Sequence, residues 1–325
     1  MHKIRWGIIG LGKVAHQFAS QFDAEEAVLT GVASRTLQKA YDFASIYHIK
    51  KAYGSYEELA FDPEIDILYI ATPNHSHYAD ILMALKAGKH VFCEKPITLN
   101  KHQLDEVLSL AQSRDLLVSE AMTIYHMPLY KKIKHTIETG KYGELKMIHA
   151  QLGVKQTMEP TNRFYDPNSG GGTLMDIGVY AFSFIRYFLS GPPSERYTTV
   201  SMSKTGVDEA SAFLFRTDYG EIATAALSFQ ADMSNTAVLV CEKARISIND
   251  FKRADQALVT YSDGSTEEIR TGSSAEALTY EINAITQTLL AEENRTFLGL
   301  TQDVNELIDW AARKWHMSWA LNEDH

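Results

Sequence analysis

A short apolar run, residues 4–9, passes without a spacer into Gly10-Leu11-Gly12-Lys13-Val14-Ala15. A strand that turns on two glycines into a helix leaves the chain few choices of fold. The first glycine permits the tight turn, the second lets the backbone approach a pyrophosphate, and the small Ala15 lets the helix pack closely on the strand. The amides of Lys13, Val14 and Ala15 then open the helix and face negative charge. The hexapeptide alone is often only a turn; its place after the first strand makes it a dinucleotide fingerprint.

The surrounding grammar agrees. Apolar runs at 4–9, 28–33, 67–71, 90–93 and 117–120 alternate with amphipathic stretches at 14–21, 37–47, 77–87 and 101–113. Such alternation predicts βα units feeding a parallel sheet with helices on both faces. Ser55-Tyr56-Glu57-Glu58 reads as a capping box.

After Pro128 the texture changes. A helix is predicted near 129–139, then a strand at 146–153, a glycine-rich turn and a helix over 173–189. The segments 199–204, 212–216, 222–229, 237–240, 244–248 and 256–261 alternate apolar with polar residues, which suits a sheet with one covered face. Helices at 275–291 and 302–321 close the chain. The expected class is α/β: an N-terminal doubly wound Rossmann sheet over residues 1–122, and an α+β domain with an open, mostly antiparallel sheet over 123–325. A chain of 325 residues exceeds what one core usually supports, so two domains fit its length.

An acid for the ribose 2′-hydroxyl is absent where the second strand ends; Ala33-Ser34-Arg35-Thr36 stands there instead. A hydroxyl and a guanidinium suit a 2′-phosphate. NADP is therefore the expected cofactor, with NAD as the alternative.

Net charge of −10 and the absence of any run of five basic residues disfavour nucleic acid and anionic membranes as partners. Cys93 and Cys241 form neither a CxxC pattern nor a disulfide framework, and no apolar stretch would span a bilayer. The N-terminus runs straight into a strand pattern, so the expected location is the cytoplasm.

Three further motifs stand in order along the chain: Ala71-Thr72-Pro73-Asn74-His75-Ser76-His77, then Cys93-Glu94-Lys95-Pro96, then Gly170-Gly171-Gly172-Thr173-Leu174-Met175-Asp176-Ile177-Gly178-Val179-Tyr180. With the glycine fingerprint before them, these resemble the Gfo/Idh/MocA oxidoreductases over essentially the whole chain. The Asp-Ile-Gly-Val-Tyr form resembles that family's dimeric dihydrodiol dehydrogenase and NADP-dependent D-xylose dehydrogenase branch. The resemblance implies that Lys95 acts at the hydride-transfer site, that Thr72, Pro73 and Asn74 line the cofactor, that Glu94 contacts the nicotinamide ribose, and that His77 holds the Thr-Pro-Asn turn. It also implies a homodimer, and a small sugar-like, polyol or cyclic diol substrate oxidised or reduced at a CH–OH carbon.

Carbonyl reduction needs a proton donor beside the oxygen that turns negative as hydride arrives. Many relatives carry histidine at the position of Tyr180; here the phenol takes that part, and a neighbouring ammonium favours its phenolate form. Asp176 and Tyr180, four apart on a predicted helix, share one face. The expected catalytic set is Lys95, Asp176 and Tyr180, with Asp176 orienting Lys95 or a substrate hydroxyl.

One segment departs from the family pattern. Tyr125-His126 stands where related sugar dehydrogenases often carry an arginine before the proline, so substrate identity does not transfer. Tyr125, Arg163 and Phe164 are candidate substrate contacts. His75, His77 and Cys93 lack the spacing of a metal site, and no metal is expected. A rival class is a dinucleotide-binding sensor of the same fold, which need not keep a proton donor.

Overall fold

The computed structural model describes residues 3–291 and 296–321, and the chain divides into two compact units, Met1–Ala121 with Leu278–Leu298, and Met122–Ala277 with Gly299–His325.

In the first unit β1 (Ile4–Ile9), β2 (Ala27–Ala33), β3 (Lys51–Tyr53), β4 (Ile67–Ile70), β5 (His90–Glu94) and β6 (Val118–Ala121) form one parallel sheet in the order β3-β2-β1-β4-β5-β6. That order reverses between β1 and β4, the switch point at which open α/β sheets bind ligands. Alternate residues of β1 serve opposite faces. Trp6 and Ile8 join a core with Phe18 of α1 (Lys13–Ser20) and Phe43 of α2 (Leu37–Ile46). Ile9 joins the other core, with Leu59 of α3 (Tyr56–Ala60), Ile81 and Leu85 of α4 (His77–Lys86), and Leu104 of α5 (Lys101–Ser113). The Ser55 hydroxyl caps α3 by accepting the Glu58 N–H at 3.2 Å, while the Glu58 carboxylate turns to the Gly54 N–H at 3.1 Å.

The second unit carries α6 (Pro128–Glu138), β7 (Leu145–Gly153), α7 (Val179–Phe188), β8 (Glu195–Met202), β9 (Asp208–Arg216), β10 (Ile222–Ser228), β11 (Thr236–Cys241), β12 (Ala244–Asn249), β13 (Gln256–Tyr261) and β14 (Thr266–Arg270). Its eight strands run β14-β13-β12-β11-β7-β10-β9-β8, with β7 and β10 parallel and the other neighbours antiparallel. One face is covered: Phe182 of α7 meets Phe213 and Phe215 edge-on at 4.8 and 5.4 Å. The opposite face leaves Tyr197, Leu214 and Leu258 exposed.

Four expectations need correction. Residues 123–325 are not one continuous unit: Leu278, Ile282 and Ile285 of α8 (Ala277–Ala291) join Trp6 and Phe18 in the first unit's core. Gln21 and Asp23 tie that helix through Leu278, Thr279 and Asn283. Strands β3 and β14 were not expected, since three half-buried residues and a single buried isoleucine give no apolar period. The helix expected over 173–189 begins as a π turn, Leu174–Gly178, before α7. The last helical stretch is two pieces, α9 (Leu298–Lys314) and α10 (Ser318–Leu321).

Candidate functional site

The end of β1 shows what each fingerprint residue is for. Gly10 has φ +83°, and a Cβ there would lie 2.6 Å from the Thr72 nitrogen and the Ala71 carbonyl carbon at the end of β4. The two strand ends can approach this closely only around a glycine. Gly12 is different: apart from the adjoining backbone, nothing lies within 4 Å of where its Cβ would be, so packing against the rest of the chain does not require a glycine there. Gly12 caps α1 without any side-chain hydrogen bond, and the first turn of Lys13, Val14 and Ala15 holds no acid. Helix amides without a capping side chain, beside a position kept clear of side chains, fit a dinucleotide pyrophosphate.

The other first-unit residues gather around the ends of β2, β4 and β5. Ser34 is buried and Arg35 exposed directly after β2. The Arg35 charge reaches Tyr56 and Asp80. Thr72 donates its hydroxyl to Asp80 at 2.6 Å, while burial raises the Asp80 pKa above the ordinary carboxylate value. Pro73 is extended, and Asn74 begins a 3-10 turn. Fully buried His77 sits 2.8 Å from the carbonyl oxygens of both Thr72 and Pro96. Burial holds its pKa below the ordinary histidine value, and the ring links the Thr-Pro-Asn turn to the segment after β5. Glu94 accepts the Tyr69 hydroxyl at 2.5 Å, with Tyr69 stacked on Phe18 at 3.7 Å. Lys95 is half-buried and precedes a cis Pro96.

In the second unit every residue from Gly170 to Ile185 is buried except Asp176 and Tyr180. A helix otherwise sunk in the core therefore presents two polar side chains, and a π turn such as the one holding Asp176 is frequent at functional sites. Asp208, missed by the sequence reading, holds the start of this helix. Its carboxylate accepts the Thr173 hydroxyl at 2.5 Å and the Leu174 N–H at 2.9 Å, and burial pushes its pKa up to about 6. Gly172 has φ +111°, and a Cβ there would fall 2.0 Å from Asp208 Oδ1. The partner lies 35 residues along the chain, so no local pattern could reveal it.

Tyr180 also lines a cavity of about 530 Å³ with Lys252 and Arg253, and the Lys252 ammonium lies 5.9 Å from the Tyr180 ring centroid. Both cations sit on a loop and read as ordinary solvated charges in the sequence. Among the candidate substrate contacts, exposed Arg163 packs on Phe164 at 4.2 Å and lies 3.7 Å from Asp176. Tyr125 is fully buried and stacks on Tyr187 at 6.1 Å. Burial pushes its neighbour His126 down to about 3. Among the described residues no three His, Cys, Asp or Glu side chains are arranged to hold a metal ion, and no described helix is long and apolar enough to cross a membrane.

Residues 4–122 match the oxidoreductase family with an NAD-binding Rossmann fold, and residues 130–247 match the Gfo/Idh/MocA C-terminal domain. The chain is 31% identical to a trans-1,2-dihydrobenzene-1,2-diol dehydrogenase of Xenopus laevis over 88% of this chain and 89% of that one. It is 34% identical to the enzyme of that name from Macaca fascicularis, over 72% and 71%. A 3-ketoreductase from Actinomadura kijaniata, solved with NADP and TDP-benzene, superposes with a TM-score of 0.84 at 24% identity over 95% and 96% of the two chains, a likeness of fold. An NAD-binding oxidoreductase from Klebsiella pneumoniae gives 0.84 at 19% identity over 94% and 95%. The fingerprint at the sheet's switch point, the Glu-Lys-Pro turn and the half-exposed Asp-Tyr pair thus belong to a member of the Gfo/Idh/MocA oxidoreductase family.

Proposed function

We propose that this oxidoreductase uses NADP and acts on a CH–OH or carbonyl carbon of a sugar, polyol or cyclic diol, with Tyr180 as general acid and base. The observation that carries the reading is the selective exposure of Asp176 and Tyr180 on a helix whose other residues from Gly170 to Ile185 are buried. Cyclic diols enter because the curated relatives are named for one.

A bound nicotinamide supplies or accepts the hydride. The chain's own work is to hold the dinucleotide and move a proton. Gly10, Gly12 and the amides of Lys13, Val14 and Ala15 take the pyrophosphate; Ser34 and Arg35 take the 2′-phosphate. Thr72, Pro73, Asn74 and Glu94 line the nicotinamide half, with His77 holding their turn. In the direction of reduction the Tyr180 hydroxyl donates its proton to the substrate oxygen as charge develops on it, and in oxidation the phenolate takes the proton back. Lys95 supplies an ammonium for the developing alkoxide. Asp176 fixes a substrate hydroxyl. Arg163, 3.7 Å from Asp176, and Phe164, on which its guanidinium packs, serve as substrate contacts; Tyr125, fully buried against Tyr187, does not reach the surface to join them. We assign the second unit the substrate-binding and dimerising role, with the face bearing Tyr197, Leu214 and Leu258 as the homodimer surface and the cytoplasm as location. A folded monomer across a sedimentation concentration series would remove the dimer.

The test follows absorbance of the reduced nicotinamide over a panel of sugars, polyols and cyclic diols. Tyr180→Phe is expected to lower kcat by about 10²–10⁴-fold, with dinucleotide affinity unchanged. Parent-like turnover would end the proton-transfer role. In the same assay Arg35→Ala should raise the KM for NADPH about tenfold and leave that for NADH in place, a factor corresponding to one charge-assisted contact; equal effects on both would leave the 2′-phosphate assignment without support.

A further inference from the structure

The loop between β12 and β13 is held rigidly and displays two cations. Buried Tyr130 donates its hydroxyl to the Phe251 carbonyl oxygen and accepts the Ala254 N–H at 3.3 Å. Thr123 donates to the Lys252 carbonyl oxygen at 3.3 Å, and the Arg253 N–H closes a turn onto the Asp250 carbonyl at 3.3 Å. The Phe251 ring packs on Phe184 at 5.0 Å. With the backbone fixed on both sides, Lys252 and Arg253 stay half-buried in the wall of the Tyr180 cavity.

Two carboxylates share that wall, yet neither answers Arg253. Asp255 accepts the Ser274 N–H at 2.9 Å, which holds its pKa below the usual carboxylate value. Among the described residues no carboxylate oxygen lies within 4.0 Å of the Arg253 guanidinium. A half-buried guanidinium that makes no direct ion pair with a described carboxylate is uncommon, because the nearby charges of Asp250 and Asp255 offset its partial desolvation less than a paired contact would. Its planar fork matches a carboxylate or a phosphate, and Lys252 adds a second positive charge. Asn249, Gln256 and Ser274 complete a wall suited to hydroxyls. The volume, about 530 Å³, is that of a small-ligand site.

We propose that this cavity selects a polyhydroxylated substrate carrying an anionic group, a carboxylate or a phosphate, which Arg253 holds with Lys252 beside the Tyr180 hydroxyl. The proposal rests on the reading of Tyr180 as the proton donor. It makes an uncharged cyclic diol a poor substrate for this chain, in contrast to the compound for which its curated relatives are named.

The experiment measures kcat/KM with NADP for stereochemically matched triplets of neutral aldohexose, hexuronate and hexose 6-phosphate, together with trans-1,2-dihydrobenzene-1,2-diol. At least one anionic member should exceed its neutral partner and the diol by tenfold or more, and whether hexuronate or phosphate leads names the group. Arg253→Met should bring that ratio near one, and Arg253→Lys should restore part of it. Equal or better use of the neutral hexose or the diol overturns the proposal, as does Arg253→Met weakening NADPH binding by the same factor, since the anion would then be the cofactor's. Isothermal titration of the hexuronate and the phosphate into NADP-loaded protein separates this proposal from the tyrosine assignment. Binding weakened tenfold by Arg253→Met but not by Tyr180→Phe supports the anion site even where Tyr180→Phe turns over normally, and binding indifferent to Arg253→Met sinks it.

Discussion

Two glycine turns open two helices in this chain, and they are glycine-rich for opposite reasons. At Gly12 the space beside the backbone is clear of the rest of the chain and α1 begins without a capping side chain. At Gly172 the corresponding space is filled by Asp208, whose carboxylate takes the hydroxyl and amide that open the next helix. Both helix starts attract negative charge. In the first unit the dinucleotide we propose there would supply it; in the second the chain does. A glycine that packing does not explain points outward to a ligand, and a glycine that packing requires points inward to a held geometry, here that of Asp176 and Tyr180.

The comparison breaks most directly at the glycines themselves. Gly172→Ala would drive a methyl into Asp208 Oδ1 and demand φ near +111° of an alanine. Overpacking combined with a left-handed backbone should remove about 3 kcal/mol or more of stability, read as a lowered urea midpoint. Gly12→Ala should leave the stability derived from that midpoint within about 1 kcal/mol of the parent while weakening NADPH binding by tenfold or more in a fluorescence titration. If Gly12→Ala lowers the midpoint as far as Gly172→Ala does while the folded protein binds NADPH as before, the two turns are alike and the distinction fails.

How far the sequence revealed these turns depends on the range of the interactions behind them. The first fingerprint was legible because strand, turn and helix start are contiguous, whereas the close approach of Gly10 to Ala71 and Thr72 spans about sixty residues and shows only in the fold. Strand β3 was not, since Lys51, Ala52 and Tyr53 are all half-buried and show no period. The spacing of Leu278, Ile282 and Ile285 announced a helix in α8, but an apolar stripe does not say which core it will join. The fingerprint, the Lys95 turn and the Asp176–Tyr180 pair could be read from local motifs. Asp208 and the Lys252–Arg253 loop could not: Asp208 acts across 35 residues, and the loop has the composition of a solvated surface turn, its rigidity coming from Tyr130 more than a hundred residues away.

A smaller effect tests whether Asp208 supplies its charge as described. Its folded pKa, about 6, lies above the ordinary aspartate value because burial penalises the carboxylate more than Thr173 and Leu174 favour it. Between that ordinary value and 6 the folded protein holds a proton that the unfolded chain has released, so this group's contribution to stability is fully present at the acidic end and is lost as pH rises through 6. The total swing is about 2–3 kcal/mol. Asp208→Asn cannot titrate. Other carboxylates make both proteins acid-sensitive, but the stability of the parent minus that of Asp208→Asn should rise by about 2 kcal/mol from pH 7 to pH 4 in urea midpoints converted at each pH. A difference that stays level would mean that the folded and unfolded pKa values coincide, the hydrogen bonds from Thr173 and Leu174 offsetting burial, and the Gly172 turn would then hold its anion as readily as water does, an anion site as genuine as the Gly12 turn, with its anion built in.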